Sequence, residues 1–302
     1  MAVVTKTLII LGQTAVGKSK LAITLAKEIN AEIISADSMQ VYRGLDIGTA
    51  KPTIEERLGI PHHLIDIRNP DEEWTVSDFV AGTRKLTDQI TKAGKTPIIV
   101  GGTGLYLWTL LEGYSFPVAP ADKEIRERLE QLPTPTLYAQ LSTIDPEACK
   151  KIHANDKKRI VRALEVYELT GKPISQTQKT RTKSHEPRAT TLIGLTLPRD
   201  QLYQRINQRV DQMIQKGLIY EVKGLLVNGY SKNLLAFQAL GYKEAIEHLE
   251  NSWNKEKMIE ELKKRTRNFA RRQMTWFKRF KNVQWFNQPV DTNTVLSYIK
   301  NI

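Results

Sequence analysis

Cysteine is almost absent: Cys149 is the single one in 302 residues. That excludes an intrachain disulfide and any four-cysteine zinc site, and makes a reducing cytosol the expected compartment. No segment approaches the ~20 consecutive apolar residues that a membrane span needs. The apolar start of the chain is too short for a signal peptide, carries Lys6, and runs directly into a phosphate-loop pattern. There is no internal repeat and no low-complexity tract. An N-K-x-D guanine motif is missing, which weakens a GTPase-type RNA-binding switch. His62 and His63 have no companion ligands at metal spacing, so a structural or hydrogen-bonding role is expected for them. Nothing resembling a heptad suggests assembly, and a monomer is expected.

Acidic residues are also in deficit, 33 against 45 Lys and Arg, for a net charge of +12. Such an excess fits a polyanionic partner bound with salt-dependent affinity. It is concentrated in two places. Lys263 to Lys281 contains no acid, and a second cluster comprises Lys150, Lys151, Lys157, Lys158, Arg159 and Arg162. Either alone would pass for a solvated face. Two, beside a phosphate site, favour nucleic acid. Trp276, Phe277 and Phe280 interleave with the first cluster at helical spacing, which points to core packing with the cations on the opposite face.

The phosphate site is Gly12-Gln13-Thr14-Ala15-Val16-Gly17-Lys18-Ser19, a full G-x-x-x-x-G-K-[ST] pattern. It lies between a β-branched apolar segment, Val3 to Leu11, and a helical spacing of apolar residues from Lys18 to Asn30. Backbone N–H groups of such a loop cradle phosphate oxygens, and the helix adds its positive end. Lys18 would neutralise the terminal phosphate and the Ser19 hydroxyl would reach Mg²⁺. The loop recognises phosphates and not what they carry, so ATP and a diphosphate ester fit equally.

Strand–helix alternation continues through Ala31–Ala36 and Thr96–Val100, the latter ending in Gly101-Gly102-Thr103-Gly104. The expected fold is therefore α/β: a P-loop NTPase-like parallel sheet flanked by helices, with ligands at the carboxyl ends of its strands. The loop, Asp37 and Thr103 all fall at such ends. Residues 119–186 read instead as an all-helical insertion, with helices near 121–131, 136–142, 145–152 and 156–169, then a polar loop from Ser175 to Arg188. Residues 1–118 and 187–302 form the core domain. After strand Ala189–Leu197, helices are expected over 199–227, 239–249 and 255–280, a strand over Val283–Phe286, and a helix over Thr292–Lys300.

Four blocks carry a family resemblance: Ser35 to Pro52 (SADSMQVYRGLDIGTAKP), Pro61 to Ile67, Gly101 to Tyr106, and Arg271 to Trp276. In this order, over nearly the whole chain, they closely resemble bacterial tRNA dimethylallyltransferases. The resemblance implies transfer of a dimethylallyl group from its diphosphate to N6 of the adenosine 3′-adjacent to the anticodon of a tRNA. It implies that Asp37 is the general base, with Thr14, Lys18 and Ser19 around diphosphate and Mg²⁺. It implies that Asp37, Ser38, Met39, Gln40 and Thr103 touch the target nucleotide. Further tRNA contacts are implied at Lys158, Arg159 and Arg162, at Gln238, Gly241 and Lys243, and at Arg271, Arg272, Gln273, Trp276 and Lys278. Arg205 and Arg209, four apart on one helix face, are candidates for a diphosphate clamp. Gln13 departs from the family's usual Pro, and Ser19 from its common Thr; Ser keeps the hydroxyl and Gln the backbone donor. The alternatives are an isopentenyltransferase acting on free adenine nucleotides, which the insertion and the basic clusters disfavour, and a P-loop small-molecule kinase.

Overall fold

The computed structural model describes residues 7–112, 121–177 and 190–301. In chain order the first part comprises β1 (Thr7–Gly12), α1 (Lys18–Glu28), β2 (Ala31–Ser35), β3 (His62–His63), α2 (Val76–Lys92), β4 (Thr96–Gly101) and α3 (Gly104–Glu112). Then come α4 (Lys123–Glu130), α5 (Thr134–Ile144), α6 (Pro146–Cys149), α7 (Lys157–Thr170) and α8 (Ile174–Thr177). The remainder is β5 (Thr190–Thr196), α9 (Arg199–Gln215), α10 (Leu218–Val227), α11 (Tyr242–Leu249), α12 (Lys255–Phe277), β6 (Val283–Asn287) and α13 (Thr292–Lys300).

The strands form one parallel sheet in the order β3-β2-β4-β1-β5-β6. All six residues of β1 are buried, as a central parallel strand covered on both faces requires. Leu21, Ala22, Leu25 and Ala26 of α1 pack on the sheet with Leu8, Ile10, Ile98 and Ile193. The carboxyl ends of β1, β2 and β4 bring Gly12, Ser35 and Gly101 to one edge.

A second core holds the block that follows Asp37. Val41, Tyr42 and Leu45 are buried with Val210, Leu218, Val222, Phe237, Tyr242 and Met258. Two polar clasps complete it. Lys51, 8% exposed, is held by Asp46 (2.6 Å), Asp66 (2.5 Å) and the Tyr42 carbonyl (2.8 Å). Glu221 accepts the N–H groups of Asp46 (3.2 Å), Ile47 (2.8 Å) and Gly48 (3.4 Å) and the Tyr242 hydroxyl (2.6 Å). A Cβ on Gly48 would lie 2.3 Å from the Tyr242 ring, so only glycine permits this approach.

The chain divides into two compact units, Met1–Trp108 with Pro187–Ile302, and Thr109–Glu186. The expected boundaries at 118/119 and 186/187 fall outside the described residues. The second unit has its own core of Leu129, Leu137, Leu141, Ile160, Val161 and Leu164. At its centre the fully buried Glu165 accepts from Arg126 (2.8 Å), Arg162 (2.7 Å) and the Asp122 N–H (2.7 Å).

Several expected elements are corrected. The helix over 199–227 is two helices, broken where Gly217 turns left-handed (φ 97°). The helix from 239 starts only at Tyr242, because Gly241 (φ 94°) caps it after a 3₁₀ turn at Leu235–Gln238. Helix α12 ends at Phe277 rather than 280. Residues 175–177 of the expected polar loop belong to a helical turn, Ile174–Thr177, fixed by Asp145 accepting from the Ser175 N–H (2.9 Å) and hydroxyl (2.7 Å). The rest of that loop, the residues before Thr7 and Ala189 lie outside the described residues. Sequence reading missed α2, which a Thr75–Asp78 capping box starts.

Candidate active site

The phosphate loop is shaped by three residues with positive φ: Gly12 (152°), Ala15 (63°) and Gly17 (103°). A Cβ on Gly12 would lie 2.7 Å from the Leu195 carbonyl oxygen of β5. Ala15 has no such licence, and its left-handed backbone costs about 1–2 kcal/mol. Strain of this kind collects at functional sites, where the surroundings over-determine it. Val16 is buried in the main core, so its side chain anchors the loop rather than facing a ligand.

Beside the loop lies a cleft of about 360 Å³, lined by Ala15, Gly17, Lys18, Ser19, Lys20, Arg205, Gln208, Arg209 and Gln212. Four cations and no acid line it, which suits a polyanion. Both arginines expected to clamp a diphosphate are there. Arg209 also donates to the Thr14 hydroxyl (3.3 Å). Lys18 Nζ donates to the Gln13 carbonyl (2.8 Å). Burial, then repulsion from Arg209, brings the Lys18 pKa down to about 7, against the opposing attraction of Asp37. Burial also lowers the pKa of Arg209, again against Asp37. Asp37 is thus within electrostatic reach of both cations.

Asp37 follows β2. Its Oδ1 accepts the N–H groups of Met39 (2.9 Å) and Gln40 (3.3 Å), so it does cap a turn. Among the described residues no hydrogen bond engages its Oδ2. Thr103, at the end of β4, accepts the Ser38 N–H (3.2 Å) and donates its own N–H to the Ala36 carbonyl (3.3 Å). A Cβ on Gly101 would lie 2.1 Å from that same carbonyl oxygen, which is why glycine stands there. Asp37, Ser38 and Thr103 are therefore brought together as expected. Met39 packs against the second core, and Gln40 braces the block through Ser35 (3.1 Å) and the Thr49 carbonyl (3.3 Å).

Of the residues expected to face RNA, Lys158, Arg159, Gln238, Lys243, Arg271, Arg272 and Lys278 are exposed. Arg271, Arg272 and Lys278 line a groove of about 730 Å³ with Gln13, Arg199 and Tyr203. Three of the expected residues have structural partners instead of an exposed face. Gln273 is 4% exposed and points inward, its amide accepting the Thr14 N–H and donating to the Gly102 carbonyl. Gly241 is buried as a helix cap, its N–H donating to Glu244 (2.7 Å). Arg162 is half-buried on Glu165, which makes it a brace of the second unit. Trp276 is half-buried, with Arg279 over its ring at 4.8 Å, while Phe277 and Phe280 are core residues.

His62 Nδ1–H donates to the Ile60 carbonyl (2.8 Å), and His63 pairs with Glu32 (2.7 Å), the structural roles expected of them. Among the described residues no group of three His, Cys, Asp or Glu is placed to hold a metal. A metal at the loop would thus have the exposed Ser19 hydroxyl as its protein ligand, with diphosphate oxygens and water completing the shell. That donor set suits Mg²⁺, which keeps its waters and binds through substrate phosphates. Sequence reading did not single out Lys20, Gln208 and Gln212, which line the cleft, or the clasps Lys51 and Glu221. Only the spacing of Gln208 and Gln212 around Arg205 and Arg209 on one helix could have pointed to the first group.

A parallel sheet with a phosphate-loop sequence at the end of a central strand, and a carboxylate at the end of the next strand but one, defines an α/β protein of the phosphate-loop type. The chain belongs to the IPP transferase family, whose model matches residues 40–280. A tRNA dimethylallyltransferase of Thermoanaerobacter sp. (strain X514) is 51% identical, covering 92% of this chain and 90% of its own. One of Anoxybacillus flavithermus is 48% identical, covering 98% and 96%. Among solved structures, the tRNA isopentenylpyrophosphate transferase of Bacillus halodurans superposes with a TM-score of 0.72 at 43% identity, covering 98% of this chain and 95% of that one. A eukaryotic dimethylallyltransferase acting on tRNA gives 0.83 at 33% identity, covering 98% and 78%.

Proposed function

We propose that this chain is a tRNA dimethylallyltransferase. It moves a dimethylallyl group from dimethylallyl diphosphate to N6 of the adenosine 3′-adjacent to the anticodon, releasing diphosphate. The observation that carries the reading is Asp37 within electrostatic reach of Lys18 and Arg209, beside a cleft whose charged lining residues are all cations. High identity over nearly full length to relatives named for this activity supports it. The free-nucleotide and kinase alternatives find no such support.

In the reaction the allylic C1–O bond breaks, and diphosphate leaves with the electron pair. The N6–C1 bond forms, and the amine proton passes to a base. An adenine amine is a poor nucleophile, so a carboxylate in hydrogen-bond reach of it matters. In this reading Oδ2 of Asp37 takes the proton, while Oδ1 stays committed to the turn. Lys18, Arg205, Arg209 and the loop amides stabilise charge growing on the leaving group. Ser19 would hold Mg²⁺, which when bound neutralises part of that charge. The target base must leave its stack at a cost of a few kcal/mol, less in a loop than in a duplex. Exposed cations at Lys158, Arg159, Lys243, Arg271, Arg272 and Lys278 offset this through backbone phosphates.

Replacing Asp37 by Asn removes the proton acceptor and keeps the shape. Prenyl transfer is expected to fall about 10²–10⁴-fold while binding of an anticodon stem-loop stays as in the wild type. Undiminished transfer by D37N would remove Asp37 from the chemistry.

A further inference from the structure

Helix α12 has two faces with different partners. Outward it presents Arg271 and Arg272, with Lys278 as its C-cap. Inward it reaches across the end of the sheet to two separate backbone segments. The Gln273 amide oxygen accepts the Thr14 N–H of the phosphate loop (2.8 Å), and its amide nitrogen donates to the Gly102 carbonyl after β4 (2.9 Å). One turn earlier, Gln13 of the loop donates from its side chain to the Ala270 carbonyl (2.9 Å). The two bonds to carbonyls are buried and the one to the Thr14 N–H is half-buried, and each spans at least 171 residues of chain. The fit is tight on both sides of the bridge. A Cβ on Gly102 would lie 2.3 Å from the Gln273 amide nitrogen, and a Cβ on Gly104 would lie 2.5 Å from Trp276 Cβ.

We propose that Gln273 is a positioning residue of the donor site, fixing the phosphate loop relative to the Gly102–Thr103 strand end. The side chain does not read RNA. Its geometry asks for one acceptor and one donor at opposite ends of one planar group, which an amide supplies and neither a carboxylate nor an apolar group does. Because Thr14 N–H is occupied by Gln273, the loop meets diphosphate with its other donors, and Thr14 contributes through its hydroxyl beside Arg209. Thr103 in turn holds the Ser38 N–H next to Asp37. The bridge therefore sets the separation between the leaving group's cradle and the base. This rests on the reading of the loop as a diphosphate site and of Asp37 as the base.

The test uses the full-length protein with two probes read separately, inorganic diphosphate with Mg²⁺ by calorimetry and an anticodon stem-loop by fluorescence anisotropy. Removing one partner of a buried hydrogen bond leaves the other unpaired, so Gln273→Ala is expected to weaken diphosphate about tenfold or more, with stem-loop affinity unchanged. A loss confined to the stem-loop, or no loss on either probe, would overturn the proposal. Should Gln273→Ala fail to fold, Gln273→Glu decides. Its carboxylate accepts the Thr14 N–H but repels the Gly102 carbonyl until it is protonated. The wild-type to Q273E ratio of diphosphate affinities should narrow as pH falls from about 8 to about 5.5 and the introduced carboxylate is protonated. A ratio that stays constant would also overturn it. Wild-type protein that binds diphosphate but transfers no prenyl group to tRNA would sink the functional reading and leave this comparison standing.

Discussion

Lys18 combines two demands that conflict. It must be an ammonium to hold a phosphate, yet burial and Arg209 lower its pKa from 10.5 to about 7. Between those values the unfolded chain carries the extra proton, so the Lys18 contribution to stability rises with pH across that window and is least favourable below about 7. A bound diphosphate reverses the balance by favouring the charged form. Diphosphate binding above about pH 7 should therefore take up a proton, and affinity should fall as pH rises further. Calorimetry in buffers of different ionisation enthalpy reads the proton directly. Lys18→Met should bind weakly with that proton uptake lost; wild-type binding without uptake would contradict the account. Asp37 shows a similar division of labour between its two oxygens. The turn cap does not compete with the proposed base role, because Oδ1 serves the turn and Oδ2 is not engaged by it.

At the scale of elements, the block from Ser35 to Pro52 depends on helices far away in sequence. Glu221 at the start of α10 gathers three consecutive N–H groups and a buried tyrosine hydroxyl. Glu221→Ala leaves the Tyr242 hydroxyl and the half-buried Ile47 and Gly48 N–H groups without this acceptor, while water can reach the exposed Asp46 N–H, and a buried unsatisfied group costs about 1–3 kcal/mol. Global stability is expected to fall by about 3 kcal/mol or more, measured by urea unfolding, and prenyl transfer should fall with it. A loss under about 1 kcal/mol would mean that water replaces Glu221 freely. The core strands and the phosphate loop were legible in the sequence because their patterns are local: β1 is a continuous apolar run, and the loop glycines have fixed spacing. Arg205 and Arg209 were legible for the same reason, four apart on α9. What escaped was set by distant contacts. The break at Gly217 lay inside an unbroken helical pattern, and α2 buries only Phe79, Thr83 and Ile90 fully, too few to mark a face. Gln273 sat in a run of cations and read as one more RNA contact; only its partners at Thr14 and Gly102 place it inside.

For the whole molecule, the excess of positive charge is the feature that a polyanionic substrate should feel first. Stem-loop affinity should fall steeply with salt, with a slope in log–log form of about −0.7 for each phosphate neutralised on single strands. Arg271→Ala should shallow that slope by about one phosphate's worth while leaving diphosphate affinity intact. A salt-insensitive complex would deny the exposed cations their role. Among the described residues no helix is long and apolar enough to cross a membrane. The central claim joins donor, acceptor and base in one reaction, and one measurement tests it most directly. Unmodified tRNA and, separately, free AMP are incubated with the protein, Mg²⁺ and dimethylallyl diphosphate, and the products are weighed by mass spectrometry. The account requires one added C5H8 unit on the adenosine 3′-adjacent to the anticodon and none on AMP. Modification of AMP with unmodified tRNA, or of neither, would contradict it.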